Sequence, residues 1–303
     1  MGAGAVGCFF GGMLARAGAM VTLIGRRPQV EALAREGLFL DSIHFQERIA
    51  VAASTDSSGA SGAGLVLFAV KTVDTPTAAR ELAPHLDTDA TVISLQNGVD
   101  NVARIREAAA FDAIPAAVYV AAHVVAPGRI KHLGRGDLII GEPSGAARRK
   151  DEIERVAQTF IRAGVPCRVS HNIESDLWVK MVMNCAGNAV SALGRSTYGR
   201  AARDAAAREV IAGAANEAVA VARAAGVRLP DGNLMEAGLK LAETLDEATS
   251  STAQDIARGK RTEIDSLNGY IVRRGRELGV PTPINLTLFA LVKLLEGRST
   301  SQG

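Results

Sequence analysis

Aromatic residues are scarce in this 303-residue chain: one Trp, three Tyr and eight Phe, 4% in all. Binders of single-stranded nucleic acid stack bases on aromatic rings inside a basic groove, and neither ingredient is present. A strong charge of one sign is also lacking, since 34 Lys and Arg face 32 Asp and Glu for a formal net charge of +2. The basic residues come in short runs, Arg26-Arg27, Arg148-Arg149-Lys150 and Arg273-Arg274, and not in the concentrated stripe of a nucleic-acid partner. Three cysteines, Cys8, Cys167 and Cys185, are odd in number and without metal-ligand spacing. They are expected to be free thiols in a reducing cytoplasm. Five scattered histidines show no HExxH pairing, so no metal is expected. No apolar run approaches the roughly 20 residues of a membrane span, and no basic stretch, apolar core and cleavage site open the chain. The expectation is a cytoplasmic protein whose partners include neither nucleic acid nor membrane.

What is abundant is apolar and small. Hydrophobic residues make up 48% and charged residues 22%, the balance of an ordinary globular protein. The length exceeds the usual span of one domain, so two are expected. Up to about residue 170, short apolar runs alternate with helical periodicity. Val21–Ile24, Leu65–Val70 and Thr91–Leu95 read as buried parallel strands. Val6–Ala17, Gln29–Glu36 and Thr75–Leu86 read as helices, the second opened by Pro28. Residues 38–53 read as a hairpin, and the Ser/Gly/Ala run at 57–64 as a surface loop. Ala113–Ala126, Gly128–His132 and Leu138–Gly141 read as antiparallel strands, Lys150–Ala163 as a helix and Val165–Ser170 as a last strand. From His171 the period becomes 3.6, over Ile173–Leu193, Asp204–Ala225, Leu234–Leu245, Thr262–Leu278 and Ile284–Leu295. The pattern predicts an α/β domain with a doubly wound sheet over residues 1–170, then an all-helical domain over 171–303.

The chain opens Met1-Gly2-Ala3-Gly4-Ala5-Val6-Gly7, a G-x-G-x-x-G fingerprint. In a chain with 31 glycines the motif is weak alone and takes its weight from context. An apolar helix with a small pair, Gly11-Gly12, follows it, and then a credible second strand. In a Rossmann-type domain the backbone of Gly2, Ala3, Gly4, Ala5, Val6 and Gly7 cradles a dinucleotide pyrophosphate. Where an acid normally reads the ribose 2′-hydroxyl, this chain has Gly25-Arg26-Arg27. A guanidinium there binds a 2′-phosphate that an acid would repel. The reading is NADP(H) over NAD(H) with Arg26 as main contact, two solvated arginines being the alternative. A strand normally precedes the turn, and here only Met1 does. A misassigned start or a trimmed chain accounts for this better than a chance glycine run, and about five apolar residues are expected upstream.

Ligands of open α/β sheets sit beyond the carboxyl ends of the strands. Lys71, after one strand, suits a phosphate or carboxylate, and Asn97-Gly98, after the next, offers an amide donor and acceptor. A strand-end lysine and an Asn-Gly turn are the plainer readings. In the helical half, Lys180, Asn184 and Asn188 recur at i, i+4, i+8 among apolar residues, so three polar groups share one helix face. They read as projecting into a cleft, or else as a satisfied polar seam. A second polar segment places Ser250 or Ser251 as a helix cap, with Gln254 at capping-box spacing from Ser251. Glu263 follows, either to orient a lysine or as part of a solvated acidic pair with Asp265.

In order and spacing these residues resemble the ketopantoate reductase family (2-dehydropantoate 2-reductases) over essentially the whole chain. The shared pattern is Gly2/Gly4/Gly7, Lys71, Asn97-Gly98, Lys180/Asn184/Asn188 and Ser251/Glu263. The resemblance implies NADPH-dependent reduction of 2-dehydropantoate to (R)-pantoate, a step toward pantothenate. It implies Lys180 as general acid, held by Glu263. Asn184, Asn188 and Ser251 would bind substrate, Asn97 would lie between cofactor and substrate, and Lys71 would contact the cofactor or the substrate side. Some members carry a further substrate-binding Asn eighteen residues beyond the lysine, where this chain has Tyr198. Reduction of a different 2-oxo acid and a non-catalytic NADP sensor are the alternatives. Helical halves of this kind often bury one face between subunits, so the assembly expected is a homodimer.

Overall fold

Strands apolar on both faces form only where both faces are covered, and the runs at 65–68 and 91–94 meet that condition as neighbouring parallel strands. The structure, a computed structural model, describes residues 1–142, 150–232, 234, 236, 238 and 247–299. It divides into two compact units, Met1–Asp176 and Leu177–Gly303.

The first unit runs α1 (Ala5–Arg16), β1 (Thr22–Ile24), α2 (Arg27–Glu36), β2 (Leu38–Ser42), β3 (Gln46–Ile49), β4 (Ala52–Ser54) and β5 (Leu65–Phe68). It continues with α3 (Thr75–Leu82), β6 (Thr91–Ser94), α4 (Asn101–Ala108), β7 (Ile114–Ala126), β8 (Arg129–Gly141), α5 (Lys150–Arg162) and β9 (Cys167–Ser170). β5, β6 and β7 are parallel, and β7 turns back into β8 as a long antiparallel hairpin. β8 then pairs in parallel with β2 over one half and with β9 over the other. β1 and β4 form a separate parallel pair.

Met1–Ala3 link the two sheets. The amides of Gly2 and Ala3 donate to the Ile24 carbonyl at 2.9 Å. On the other side the Met1 amine donates to the Leu67 carbonyl at 2.9 Å, and the Ala69 amide to the Met1 carbonyl at 2.9 Å. The glycine turn therefore leaves a strand end flanked by β1 and β5, as a dinucleotide turn requires.

Helix α1 buries Cys8, Phe10, Met13 and Leu14 in a core with Ile114, Ile130, Leu138, Ile140 and Phe160. Its Gly11-Gly12 pair brings it close to the strands. A methyl on Gly12 would meet Leu38 Cδ2 at 2.7 Å, and one on Gly11 would meet Leu23 Cδ2 at 3.0 Å.

Several sequence expectations change. The 38–53 stretch is a hairpin only as far as Ile49, because Ala52–Ser54 leaves it to pair with β1. Residues 128–132 and 138–141 belong to one strand, β8. Its glycine-rich middle, Gly134-Arg135-Gly136, sits at register shifts against β7, with Arg135 at φ 52°, so the glycines mark irregular pairing and not a strand break. The 57–64 run holds a 3-10 turn, Ser57–Ala60, with Ser57 and Ala60 buried. Helix α4 was not expected.

The helix opening at Ile173 ends at Leu193 (α6), and its residues from Leu177 on belong to the second unit. After it come α7 (Tyr198–Arg203), α8 (Ala205–Ala224), α9 (Ser251–Ala257), α10 (Asn268–Leu278) and α11 (Pro283–Ser299). Of the helix expected at Leu234–Leu245, only residues 234, 236 and 238 are described, and these three are helical. That expected at Thr262–Leu278 is broken at Leu267 (φ −106°, ψ −104°), leaving a 3-10 turn, Ile264–Ser266, before α10. A buried polar chain ties these helices together. Asn268 Nδ2 donates to the Cys185 carbonyl and to Asn285 Oδ1, both at 2.9 Å. Asn285 Nδ2 donates to Glu217 Oε2 at 2.7 Å, and that carboxylate accepts the amides of Ile284 and Asn285 at the start of α11. Among the described residues, no helix is long and apolar enough to cross a membrane.

Candidate functional site

The three fingerprint glycines meet three different constraints. Gly2 has φ +97°, and a methyl there would lie 2.7 Å from the Ala69 and Val70 backbone. A methyl on Gly7 would strike the Gly2 carbonyl oxygen, so only glycine lets α1 begin so close to the turn. Gly4 differs, since a methyl there would meet nothing within 4 Å. Gly4 is the N-cap of α1, makes no side-chain cap and has no acid in the following turn. Uncapped N–H groups at a helix N-terminus attract an anion, and the space beside Gly4 admits one. Cys8, one turn in, is no nucleophile: burial pushes its thiol up to about 11, against the smaller opposing pull of Gln29 Nε2 at 3.4 Å.

The other candidates of this unit gather around the same turn. Gly25, at the end of β1, lies so near Ala3 that a methyl would approach its Cβ to 2.7 Å. Arg26 comes next, as the exposed N-cap of α2. Neither Arg26 nor Arg27 forms an ion pair among the described residues. Lys71 follows the Ala69-Val70 backbone against which Gly2 packs. Thr72, after it, donates through Oγ1 to the Asn97 carbonyl at 3.1 Å.

A buried glutamine locks this edge together. Gln96 is 5% exposed. Its Nε2 donates to the Val70 carbonyl at 3.0 Å and to Thr75 Oγ1 at 2.7 Å, and its Oε1 accepts from Ser94 Oγ at 3.0 Å. It clasps the chain leaving β5, where Lys71 stands, to the chain leaving β6, where Asn97 stands. Asn101 adds a bond from Nδ2 to the Asn97 carbonyl at 2.8 Å. Sequence gives such a clasp only a faint signal, a Gln two residues beyond the short strand Thr91–Ser94.

In the second unit Lys180 and Asn184 are half-buried on α6, and Asn188 is 4% exposed. Asn188 is held from two sides. Its Oδ1 accepts from the Tyr198 hydroxyl at 2.7 Å, and its carbonyl accepts from Ser250 Oγ at 2.9 Å. Burial pushes the Tyr198 phenol well above its ordinary value, so it stays a hydroxyl donor. Of the two serines weighed as caps, Ser250 is the N-cap of α9, accepting from the Ala253 amide at 3.0 Å. Ser251 is the exposed first residue of that helix, so the capping box from Ser251 to Gln254 gives way to a simple Ser250 cap. Glu263 is half-buried ahead of the 3-10 turn. Asp265 is drawn elsewhere, to Lys293 at 3.0 Å and Arg261 at 3.4 Å.

Two family descriptions match this chain, ketopantoate reductase PanE/ApbA over residues 1–145 and its C-terminal domain over residues 172–296. The chain belongs to the ketopantoate reductase family. A 2-dehydropantoate 2-reductase from Pyrococcus abyssi is 36% identical, covering 98% of each chain. The crystal structure of a PanE/ApbA family ketopantoate reductase from Ralstonia eutropha JMP134 is 47% identical and superposes with a TM-score of 0.91, covering 99% of this chain and 98% of that one. A D-mandelate dehydrogenase solved with NADH and anilino(oxo)acetate has a TM-score of 0.89 at 23% identity, covering 99% and 98%, and shares the fold. Family membership makes the chain an oxidoreductase that uses a nicotinamide dinucleotide, and the open, uncapped turn at Gly4 fits such a cofactor.

Proposed function

We propose that this protein reduces a 2-oxo acid with NADPH, 2-dehydropantoate being the first substrate to test, and yields the 2-hydroxy acid. The observation that carries the reading is Lys180 on one face of α6 with Asn184 and Asn188, inside the stretch that matches the family's C-terminal domain. Residues 1–170 serve the cofactor and residues 171–303 the substrate. Gly2, Ala3, Gly4, Ala5, Val6 and Gly7 receive the pyrophosphate, Arg26 the 2′-phosphate, and Lys71 and Asn97 the remainder of the cofactor, with Asn97 also meeting the substrate. When bound, NADPH supplies the hydride that the ketone carbon takes up. Negative charge then grows on the ketone oxygen, and the Lys180 ammonium stabilises and protonates it. Glu263 holds and orients the lysine ammonium electrostatically. Asn184, Asn188 and Ser251 hold the acid, through groups that donate to a carboxylate or pair with a hydroxyl. Arg26 in place of an acid supports NADPH over NADH, because a guanidinium–phosphate pair is a charge-assisted, bidentate contact.

Cys8, Cys167 and Cys185 are all free thiols, which suits a reducing cytoplasm. Helix α11 buries Leu288 and Val292 on one side and exposes Leu286, Leu291 and Leu294 at 41%, 43% and 67%. A helix apolar on both sides is normally buried, and a second copy of this chain is the proposed cover.

The test is oxidation of NADPH or NADH with a panel of 2-oxo acids, for the wild type, Lys180→Ala and Arg26→Ala. Lys180→Ala should lose at least about 100-fold in kcat, and Arg26→Ala should raise KM for NADPH about tenfold or more while leaving NADH unaffected. Tight NADPH binding with no acid turned over would replace this reading with a sensor.

A further inference from the structure

Tyr198 stands where some members of the family carry a further substrate-binding asparagine. Its backbone amide donates to the Ala248 carbonyl at 2.9 Å, fixing the start of α7. Its ring lies against α6 at Gly187, where a methyl would come within 3.0 Å of Cε1. Glycine at that position lets the ring lie against the helix. The hydroxyl is thereby delivered to Asn188 Oδ1 at 2.7 Å, and Ser250 holds the Asn188 backbone from the other side. A carboxamide whose oxygen accepts from a phenol has its orientation set: Oδ1 is engaged and Nδ2 is left to donate. Among the described residues, Asn188 Nδ2 has no acceptor.

We infer that Tyr198 is a specificity-determining positioning residue, which acts through Asn188 by turning Nδ2 toward the substrate as a donor and engaging the amide oxygen that a substrate hydroxyl would otherwise use. The inference rests on the proposed role of Asn188 in substrate binding. An asparagine at position 198 would supply an amide acceptor of its own and leave Asn188 Oδ1 available. Tyrosine instead engages that oxygen and offers only its phenol oxygen in place of an amide acceptor. A substrate hydroxyl that must donate competes with the Tyr198 hydroxyl for Asn188 Oδ1, while a carboxylate or carbonyl oxygen is well served by Nδ2. The substrate class this favours is a branched 2-oxo acid whose far end is apolar or carries only an acceptor. The chain should therefore discriminate weakly between 2-dehydropantoate and the same carbon skeleton without its hydroxyl, 3,3-dimethyl-2-oxobutanoate.

The experiment measures kcat and KM for both acids with NADPH in the wild type, Tyr198→Phe and Tyr198→Asn, together with each variant's melting temperature. The wild type should prefer the hydroxylated acid by less than about tenfold in kcat/KM. Freeing Asn188 Oδ1 in Tyr198→Phe should raise that preference about tenfold, the scale of one recovered hydrogen bond, and Tyr198→Asn should raise it at least as far. The change should be carried by KM and not by kcat. A ratio that stays constant in both variants, including the case where both acids slow equally because the helix pair has loosened, overturns the inference and leaves the proposed function standing. A wild-type enzyme that reduces neither acid overturns the proposed function, and this inference with it.

Discussion

Adding one methyl group at Gly4 or at Gly7 should separate cofactor binding from folding. At Gly4 the backbone has φ −84° and ψ −166°, which alanine adopts freely, and the added carbon meets nothing within 4 Å. The only folding cost is that alanine caps a helix less well than glycine, at most about 1 kcal/mol. On the proposed placement of the cofactor, however, the methyl occupies the space through which the pyrophosphate approaches the uncapped start of α1. At Gly7 the added carbon collides with the Gly2 carbonyl oxygen, and a backbone atom cannot swing aside as a side chain does. Overpacking of this kind costs about 2 kcal/mol, or roughly 4–8 °C in Tm for a unit of this size. Calorimetric melting without cofactor, paired with NADPH titration, reads both quantities. Gly4→Ala should melt within about 2 °C of wild type and bind NADPH at least about tenfold more weakly. Gly7→Ala should melt several degrees lower. A folded Gly4→Ala protein with unchanged Kd for NADPH would refute the placement of the pyrophosphate.

Three further outcomes are expected. Gln96→Leu removes three buried hydrogen bonds and strands the Val70 carbonyl. It should cost about 2–4 kcal/mol in chemical denaturation and raise KM for NADPH by loosening the segments that carry Lys71 and Asn97. Burial pushes the Glu296 carboxyl upward, but Lys293 at 2.8 Å and the bonds from Thr262 outweigh it, so its pKa falls below the ordinary value of 4.5. With the folded value below the unfolded one, this stabilisation is complete above about pH 4.5 and is lost as pH falls through the lowered value. The difference in Tm between wild type and Glu296→Gln should accordingly shrink as pH falls below about 4.5, and a constant difference would show that the carboxylate contributes nothing. Leu294→Glu places a charge on the exposed face of α11 and should convert a dimer to a monomer in sedimentation velocity, whereas a wild type already monomeric at micromolar concentration would exclude the dimer.

Local patterns carried much of this protein. Buried parallel strands announce themselves as apolar runs, α2 by Pro28 at its start, and α6 by periodicity over its full length, because each signal lies within a few consecutive residues. The spacing of Gly2, Gly4 and Gly7 implied a dinucleotide turn, and Lys180, Asn184 and Asn188 a shared helix face, for the same reason. Contacts between residues distant in sequence were settled only by tertiary structure. Ala52–Ser54 looked like hairpin until β1 became its partner, and the glycines of β8 looked like a break until β7 carried them through a bulge. Gln96 became a clasp because the ends of β5 and β6 lie side by side, and Ser250, not Ser251, met α6. The short run Met1–Ala3 could not be read as a strand end by itself, since its hydrogen bonds go to Ile24, Leu67 and Ala69. Side-chain periodicity is a property of one segment, whereas the partner of a buried donor or acceptor is a property of the packed whole.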